Sequence, residues 1–361
     1  MKLVKTSYSI DDVKILLQDV RGRVPVLDTE EREKLNQQGV HYSEMLPVEY
    51  SPSNEYLNLY FKSVKDFGEI TANAVGVLAE KILKRKSHPV IVSLARAGTP
   101  IGILVKRYIE KFYNIKVPHY TVSIIRGKGL DKKAMKIILD EGALSENIVF
   151  LDGWVGKGAI NKVLTQSVKE LKEEDDRFKE LSDDLAVLSD PASVTDLYGT
   201  REDFLIPNAC LNSTVSGLIS RTVKLKDMTD DELHGAVYYK ENEVSDLSNG
   251  FVNIIMSFFD KIDLSFFDNI SYNDSYKGLD EVIDISKYFN INDINKIKPG
   301  VGETTRVLLR RVPDRILVKK DANKKYLKHI YQLAKEKNIP VEIYPLKKYN
   351  VCGIIKDVAD L

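Results

Sequence analysis

The residues most able to do chemistry lie in one short stretch, IVFLDGWVGKG at 148–158. An apolar, β-branched run ends at Asp152, and a turn carrying Gly153, Gly156 and Gly158 leads into a helical pattern from Ala159. A strand, a glycine turn and a helix N-terminus together make an anion site, because backbone N–H groups point outward and the helix dipole favours negative charge. Asp152 at the strand end suits a sugar hydroxyl or, through ribose or water, a metal ion. Lys157 places a cation inside the turn. The spacing is not that of a Walker A loop, and the dinucleotide fingerprint is absent. Phosphate binding is the expectation here; the competing reading is a structural turn whose glycines only permit close packing.

Two further polar turns follow apolar runs: Arg96-Ala97-Gly98-Thr99-Pro100 after 89–95, and Arg126-Gly127-Lys128-Gly129 after 117–125. A different chemistry is offered by Cys210, which precedes a predicted helix in IPNACLNST. A helix N-terminus lowers a thiol pKa, and His234, with Asp190, Asp203 or Asn212 to orient it, would complete a Cys–His hydrolase. The competing reading is a buried packing cysteine. His41, His88, His119 and His329 are isolated, without metal-ligand spacing, and Cys352 reads as packing. Trp154 is placed to stack on a base or to pack in the core.

The elements that must position these residues alternate. The pattern predicts a helix over 67–86, a strand over 89–95, a helix to about residue 112 and a strand over 117–125. A helix near 133–143, a strand over 148–152, a helix over 159–173 and a strand over 185–190 follow. Such alternation predicts an α/β fold with a parallel sheet, and ligands of such sheets bind at the carboxyl ends of the strands, where the three turns converge. Residues 1–60 read as a cap or hood, 61–245 as the main domain, 246–278 as a helical segment and linker, and 279–361 as a second domain. Between Lys296 and Lys348 bases outnumber acids roughly three to one, which suits a phosphate backbone.

With 361 residues, 43% hydrophobic and 29% charged, the chain is long enough for two cored domains. Its formal net charge of zero removes any global electrostatic case for nucleic acid. Two cysteines speak for a reducing compartment, and no apolar run reaches membrane-spanning length, so a cytoplasmic protein without a membrane partner is expected.

The order of strands and turns resembles the type I phosphoribosyltransferases. That resemblance implies a pyrophosphate turn at Arg96, Ala97 and Gly98, and a closing loop carrying Arg126 and Lys128. It also implies a ribose site at Asp152 and Gly153 and a 5′-phosphate cradle at Gly156, Lys157 and Gly158. Magnesium and a phosphoribosyl pyrophosphate (PRPP)-like ligand are implied with them. Here Gly153 stands where the family has a second acid, and Val155, Gly156 and Lys157 replace its threonines. A modified substrate and a silent site both follow from that departure. The segment at 298–345, opening with KPGVGETTRVLLRRVP, resembles the RNA-binding domain of pelota and the kink-turn-binding ribosomal proteins. This implies RNA contacts from Gly302, Glu303, Thr304, Arg306 and Lys320. Together the two parts resemble the StiP family of bacterial tellurite-resistance and stress gene clusters, which is also labelled a cysteine protease. The leading expectation is a phosphoribosyltransferase that makes a nucleoside-like product. The alternatives are a cysteine hydrolase using Cys210 and His234, and a non-catalytic nucleotide sensor coupled to RNA. A homodimer is a further expectation, since phosphoribosyltransferase-like sheets often pair.

Overall fold

The computed structural model describes residues 2–270 and 272–356; the end of the 279–361 span expected for the second domain therefore lies outside the described residues. Six parallel strands form the main sheet: β1 Lys14–Ile15, β2 Val90–Leu94, β3 His119–Val122, β4 Ile148–Trp154, β5 Leu185–Ser189 and β6 Tyr198–Thr200. Their order across the sheet is β1-β3-β2-β4-β5-β6. The chain runs outward from β2 in both directions, so the switch point lies between β2 and β4, where a parallel sheet opens a crevice.

The strand residues divide between two faces with period two, as strand geometry requires. Ile91, Val149, Leu151, Ala186 and Leu188 enter one core, with helices α1 Asn54–Arg85 and α2 Gly98–Tyr113. Val90, Val92, Leu94, Ile148, Phe150, Leu185 and Val187 enter the other, with α3 Lys132–Asp140 and α4 Ala159–Glu174. Both faces are covered, which accounts for strands that read as unbroken apolar runs. Helix α1 begins at Asn54, well before the expected residue 67, because Ser53 caps it by accepting from the Tyr56 N–H.

Residues 248–267 are not a free linker. Helix α5 Ser248–Met256 sends Phe251, Val252 and Ile255 into the α1/α2 core, joined by Phe259 and Phe267. After α6 Gly278–Tyr288 comes a second sheet of β7 Ile297–Pro299, β8 Pro313–Lys319, β9 Val341–Tyr344 and β10 Val351–Ile355, in the order β7-β10-β8-β9. Its neighbours pair antiparallel except β8 with β9. Helix α6 covers one face, where Leu317, Cys352 and Ile354 are buried. Helices α7 Val301–Arg310 and α8 Lys324–Glu336 cover the other, and their apolar residues belong to the same core as α1. The second domain is thereby fused to the first through apolar contact. Among the described residues, no helix is long and apolar enough to cross a membrane.

Candidate functional site between the sheet and the second domain

The turns after β2 and β4 touch at the switch point. A Cβ on Gly98 would stand 2.4 Å from the Leu151 carbonyl oxygen, and one on Gly153 would stand 3.2 Å from that of Ala97. Glycine at 98 is what lets the N-terminus of α2 reach the end of β4, and Arg96 and Asp152 are brought to one crevice as a result. The opposite wall comes from the second domain, through Gly302, Glu303, Arg306 and Arg310 on α7. The cleft between them measures about 450 Å³, and Trp154, Phe204, Asn208 and Asn212 complete it.

One carboxylate holds the far wall in place. Asp203 is buried; its Oδ1 accepts from the Val301 N–H at 2.8 Å and its Oδ2 from the Asn350 N–H at 2.8 Å. An unsatisfied N–H of α7 is thus capped by the main domain, not by α7's own chain neighbours. Burial pushes the Asp203 carboxyl up to about 7, against the pull of those two N–H donors.

Among the sequence-derived site residues Asp152 borders two spaces: it shares the cleft with Arg96, and with Arg126, Gly156, Lys157 and Gly158 it lines an adjoining cavity of about 260 Å³. Arg96 donates to the Ile219 carbonyl at 3.0 Å and lies 4.0 Å from Glu49. Asp152 is half-buried on the cleft floor; burial pushes its carboxyl up to about 7, while the Gly153 N–H donating to Oδ1 at 2.7 Å opposes the shift. Arg126 and Lys128 sit on a small hairpin covered by the N-terminal segment. The Arg126 N–H donates to the Tyr42 hydroxyl at 3.0 Å, and Lys128 lies 3.7 Å from Glu44.

Lys157 does not stand free over a phosphate turn. Its Nζ donates to the carbonyls of Ile294 at 2.6 Å and Ile297 at 2.9 Å, and burial lowers its pKa to about 8. Tyr349 donates to the Gly156 carbonyl. The Trp154 ring occupies the space beside Gly156, where a Cβ would lie 2.6 Å from it. Gly158 begins α4 in the left-handed region, with φ +77°. The turn expected to cradle phosphate forms part of the seam along which the second domain docks, and it borders the adjoining cavity with Arg126.

The helix expected to meet RNA also turns inward. Gly302, Glu303 and Arg306 face the cleft, with Arg306 donating to the Ala209 carbonyl at 3.3 Å and pairing with Glu303 at 3.1 Å. Thr304 is buried and donates to the Lys298 carbonyl at 3.2 Å. Of this group only Lys320 is fully exposed. Arg310 was not singled out by sequence reasoning. Its signal was the spacing Gly302, Arg306, Arg310, which puts three residues on one helix face.

Cys210 ends the short 3₁₀ turn Pro207–Cys210, and its neighbours Ala209 and Leu211 line the cleft while its own thiol points behind the wall. The thiol lies 3.6 Å from Ser63 Oγ on α1, and burial pushes it up to about 11. His234 is elsewhere. Its Nδ1 lies 2.8 Å from Ser123 Oγ, its N–H donates to Asp131 at 2.6 Å, and burial pushes the imidazole down to about 3. The expected Cys210–His234 contact is therefore not made in this conformation. No group of three or more His, Cys, Asp or Glu side chains gathers to hold a metal among the described residues. The cleft does not suit magnesium either, since Arg96, Arg306 and Arg310 line it together with a largely desolvated Asp152.

Comparison with known proteins bears directly on this site. A family model described as tellurite-like stress resistance cysteine protease StiP matches residues 6–256, and the PELOTA RNA binding domain model matches residues 276–357. A curated relative from Acinetobacter baylyi, named cysteine protease StiP, is 33% identical over 356 residues, which cover 93% of this chain and 90% of that protein. No solved structure matches. These matches overturn the phosphoribosyltransferase expectation, and with it the PRPP ligand: both name a cysteine protease. The Lys157 ammonium, already held by the Ile294 and Ile297 carbonyls, gives that correction a physical reason.

Proposed function

Because the chain belongs to the StiP family, we propose that it is a thiol hydrolase of the peptidase type, built on a phosphoribosyltransferase-like scaffold, with Cys210 as the nucleophile. The observation that carries this reading is positional. Of the chain's two cysteines, Cys210 alone falls within the matched span 6–256, and the residues on either side of it line the cleft. In this reading the conformation described is a closed resting form. A thiol near 11 with no imidazole beside it is a weak nucleophile, so activity requires the 207–212 wall to move relative to α1 and α7.

Asp152 is the proton carrier in the proposal. A carboxyl near 7 is matched to proton transfer at neutral pH, and Asp152 opens into the same cleft. Cys210 gives its proton to Asp152 and attacks the peptide carbonyl carbon. The amine leaves with that proton, and water then cleaves the thioester. Hydrolysis of a denatured protein substrate by wild type and Cys210→Ala tests the assignment: loss of cleavage in the variant supports it, and undiminished cleavage rejects it.

RNA is the second ligand of this reading, since the C-terminal domain is of the pelota class. With the Gly302–Arg306 face turned inward, the exposed lysines Lys320, Lys324, Lys325 and Lys328 are the surface we assign to it. Replacing them by Gln should flatten the salt dependence of RNA binding, and an unchanged slope would reject this surface.

A further inference from the structure

The cleft gathers three cations, and Asp152, whose carboxyl sits near 7, is the one acid of its lining not paired with any of them. Arg96 stands on the sheet side, while Arg306 and Arg310 stand one turn apart on α7, and all three line the same 450 Å³. Arg96 has Glu49 at 4.0 Å and Arg306 has Glu303 at 3.1 Å. Arg310 has no carboxylate partner among the described residues; its guanidinium donates to Asn212 Oδ1 at 2.6 Å and to the Cys210 carbonyl at 3.1 Å. Its pKa is lowered first by burial and then by Arg306, with Arg96 contributing. Three guanidinium groups gathered on one partly solvated cleft favour an incoming anion.

We propose that the cleft selects acidic peptide segments, with Arg310 as the specificity-determining residue that receives a substrate Asp or Glu side chain next to Cys210. The proposal rests on the hydrolase reading for the bond that is cut, but not for the binding itself. A carboxylate matches a single guanidinium in bidentate fashion. The cavity is sized for a few residues. A polynucleotide fits less well: Glu303 and Asp152 interrupt the positive lining, and the exposed Lys320, Lys324, Lys325 and Lys328 do not line the cleft. Arg310 also reads the substrate at the right place, because it holds the carbonyl of the residue proposed to attack.

Trp154 is the chain's single tryptophan and lines the cleft, so its fluorescence reports occupancy without turnover. The experiment titrates the Cys210→Ala protein with a short blocked Glu/Asp-rich peptide, its Lys-rich counterpart, and a single-stranded oligouridylate. The acidic peptide should shift Trp154 emission and bind at least ~10-fold more tightly than the basic one. Arg310→Gln and, from the other wall, Arg96→Gln should each remove most of that preference, and Arg310→Glu should reverse it. Equal affinity for the two peptides, binding by neither, variants without effect, or a response to oligouridylate alone would overturn the proposal. If acidic peptides bind but wild type cuts none of them, the selectivity stands and the hydrolase reading fails. If wild type cuts peptides without regard to charge, the reverse holds.

Discussion

Asp203 is the most informative single residue to remove, because it clamps the second domain over the cleft. Asp203→Ala leaves the Val301 and Asn350 N–H groups without their acceptors, both at 2.8 Å. Each unsatisfied buried donor costs about 1–3 kcal/mol, and loss of a helix cap about 1 kcal/mol of that. Relief of burying a carboxyl that already sits near 7 offsets part of the loss. A net cost of roughly 2 kcal/mol falls on the docked arrangement, which is about a 30-fold shift toward the open form. Opening frees the turn that Arg306 and Arg310 hold by the Ala209 and Cys210 carbonyls. The assay is the rate of Cys210 alkylation by iodoacetamide at mildly alkaline pH, read by peptide mass mapping. Cys352, buried on β10 within the second sheet, serves as the internal control. Wild-type Cys210 should react far more slowly than an ordinary thiol, since a pKa of about 11 leaves little thiolate. Asp203→Ala should raise the Cys210 rate by about 30-fold and leave Cys352 slow. An unchanged Cys210 rate in a variant of native circular dichroism would refute the clamp. So would wild-type Cys210 reacting as fast as a free cysteine.

Other perturbations test the parts separately. Hydrolysis by wild type should rise as pH passes through about 7, where Asp152 ionises and becomes a base, and Asp152→Asn should lose both the rise and most of the rate. A pH profile without that inflection, or full activity in Asp152→Asn, would remove Asp152 from the mechanism. Gly98→Ala should destabilise the chain by roughly 1–3 kcal/mol, because its Cβ would meet the Leu151 carbonyl oxygen at 2.4 Å; an unaltered melting temperature would show that the β2 and β4 ends do not approach so closely. Gly300→Ala combines a φ of +88° with a Cβ 2.6 Å from the Trp154 ring, so it should both destabilise the chain and change Trp154 emission.

Much of the sheet is legible in the chain because its strands are buried on both faces and flanked by polar, glycine-bearing turns. The runs at 89–95, 148–152 and 185–190 therefore predict β2, β4 and β5 with small changes at the ends. The edges are not legible: β1 is only Lys14–Ile15 and β6 only Tyr198–Thr200, too short to show a period. The three polar turns do emerge at strand ends, but their residues have different fates. Arg96 and Asp152 share the cleft and Arg126 reaches the adjoining cavity beside Asp152, while Lys128 is paired with Glu44 of the N-terminal segment. Lys157 illustrates the limit. A lysine in a glycine turn reads as a phosphate ligand until the carbonyls of Ile294 and Ile297, far along the chain, are found on its ammonium. The inward turn of α7 is equally hidden, since it depends on Asp203 capping a helix nearly a hundred residues away. The thiol was legible as a candidate, but its burial against Ser63 was not, because α1 and the 207–210 turn meet only in the folded chain.

The central claim is that Cys210 attacks a peptide carbonyl from the wall of this cleft. The most direct measurement is to quench wild-type protein with acid during peptide turnover and locate any covalent acyl group by mass spectrometry. The account predicts a thioester on the peptide containing Cys210, absent in Cys210→Ala. An acyl group on any other residue, or turnover that continues in Cys210→Ala, would contradict it.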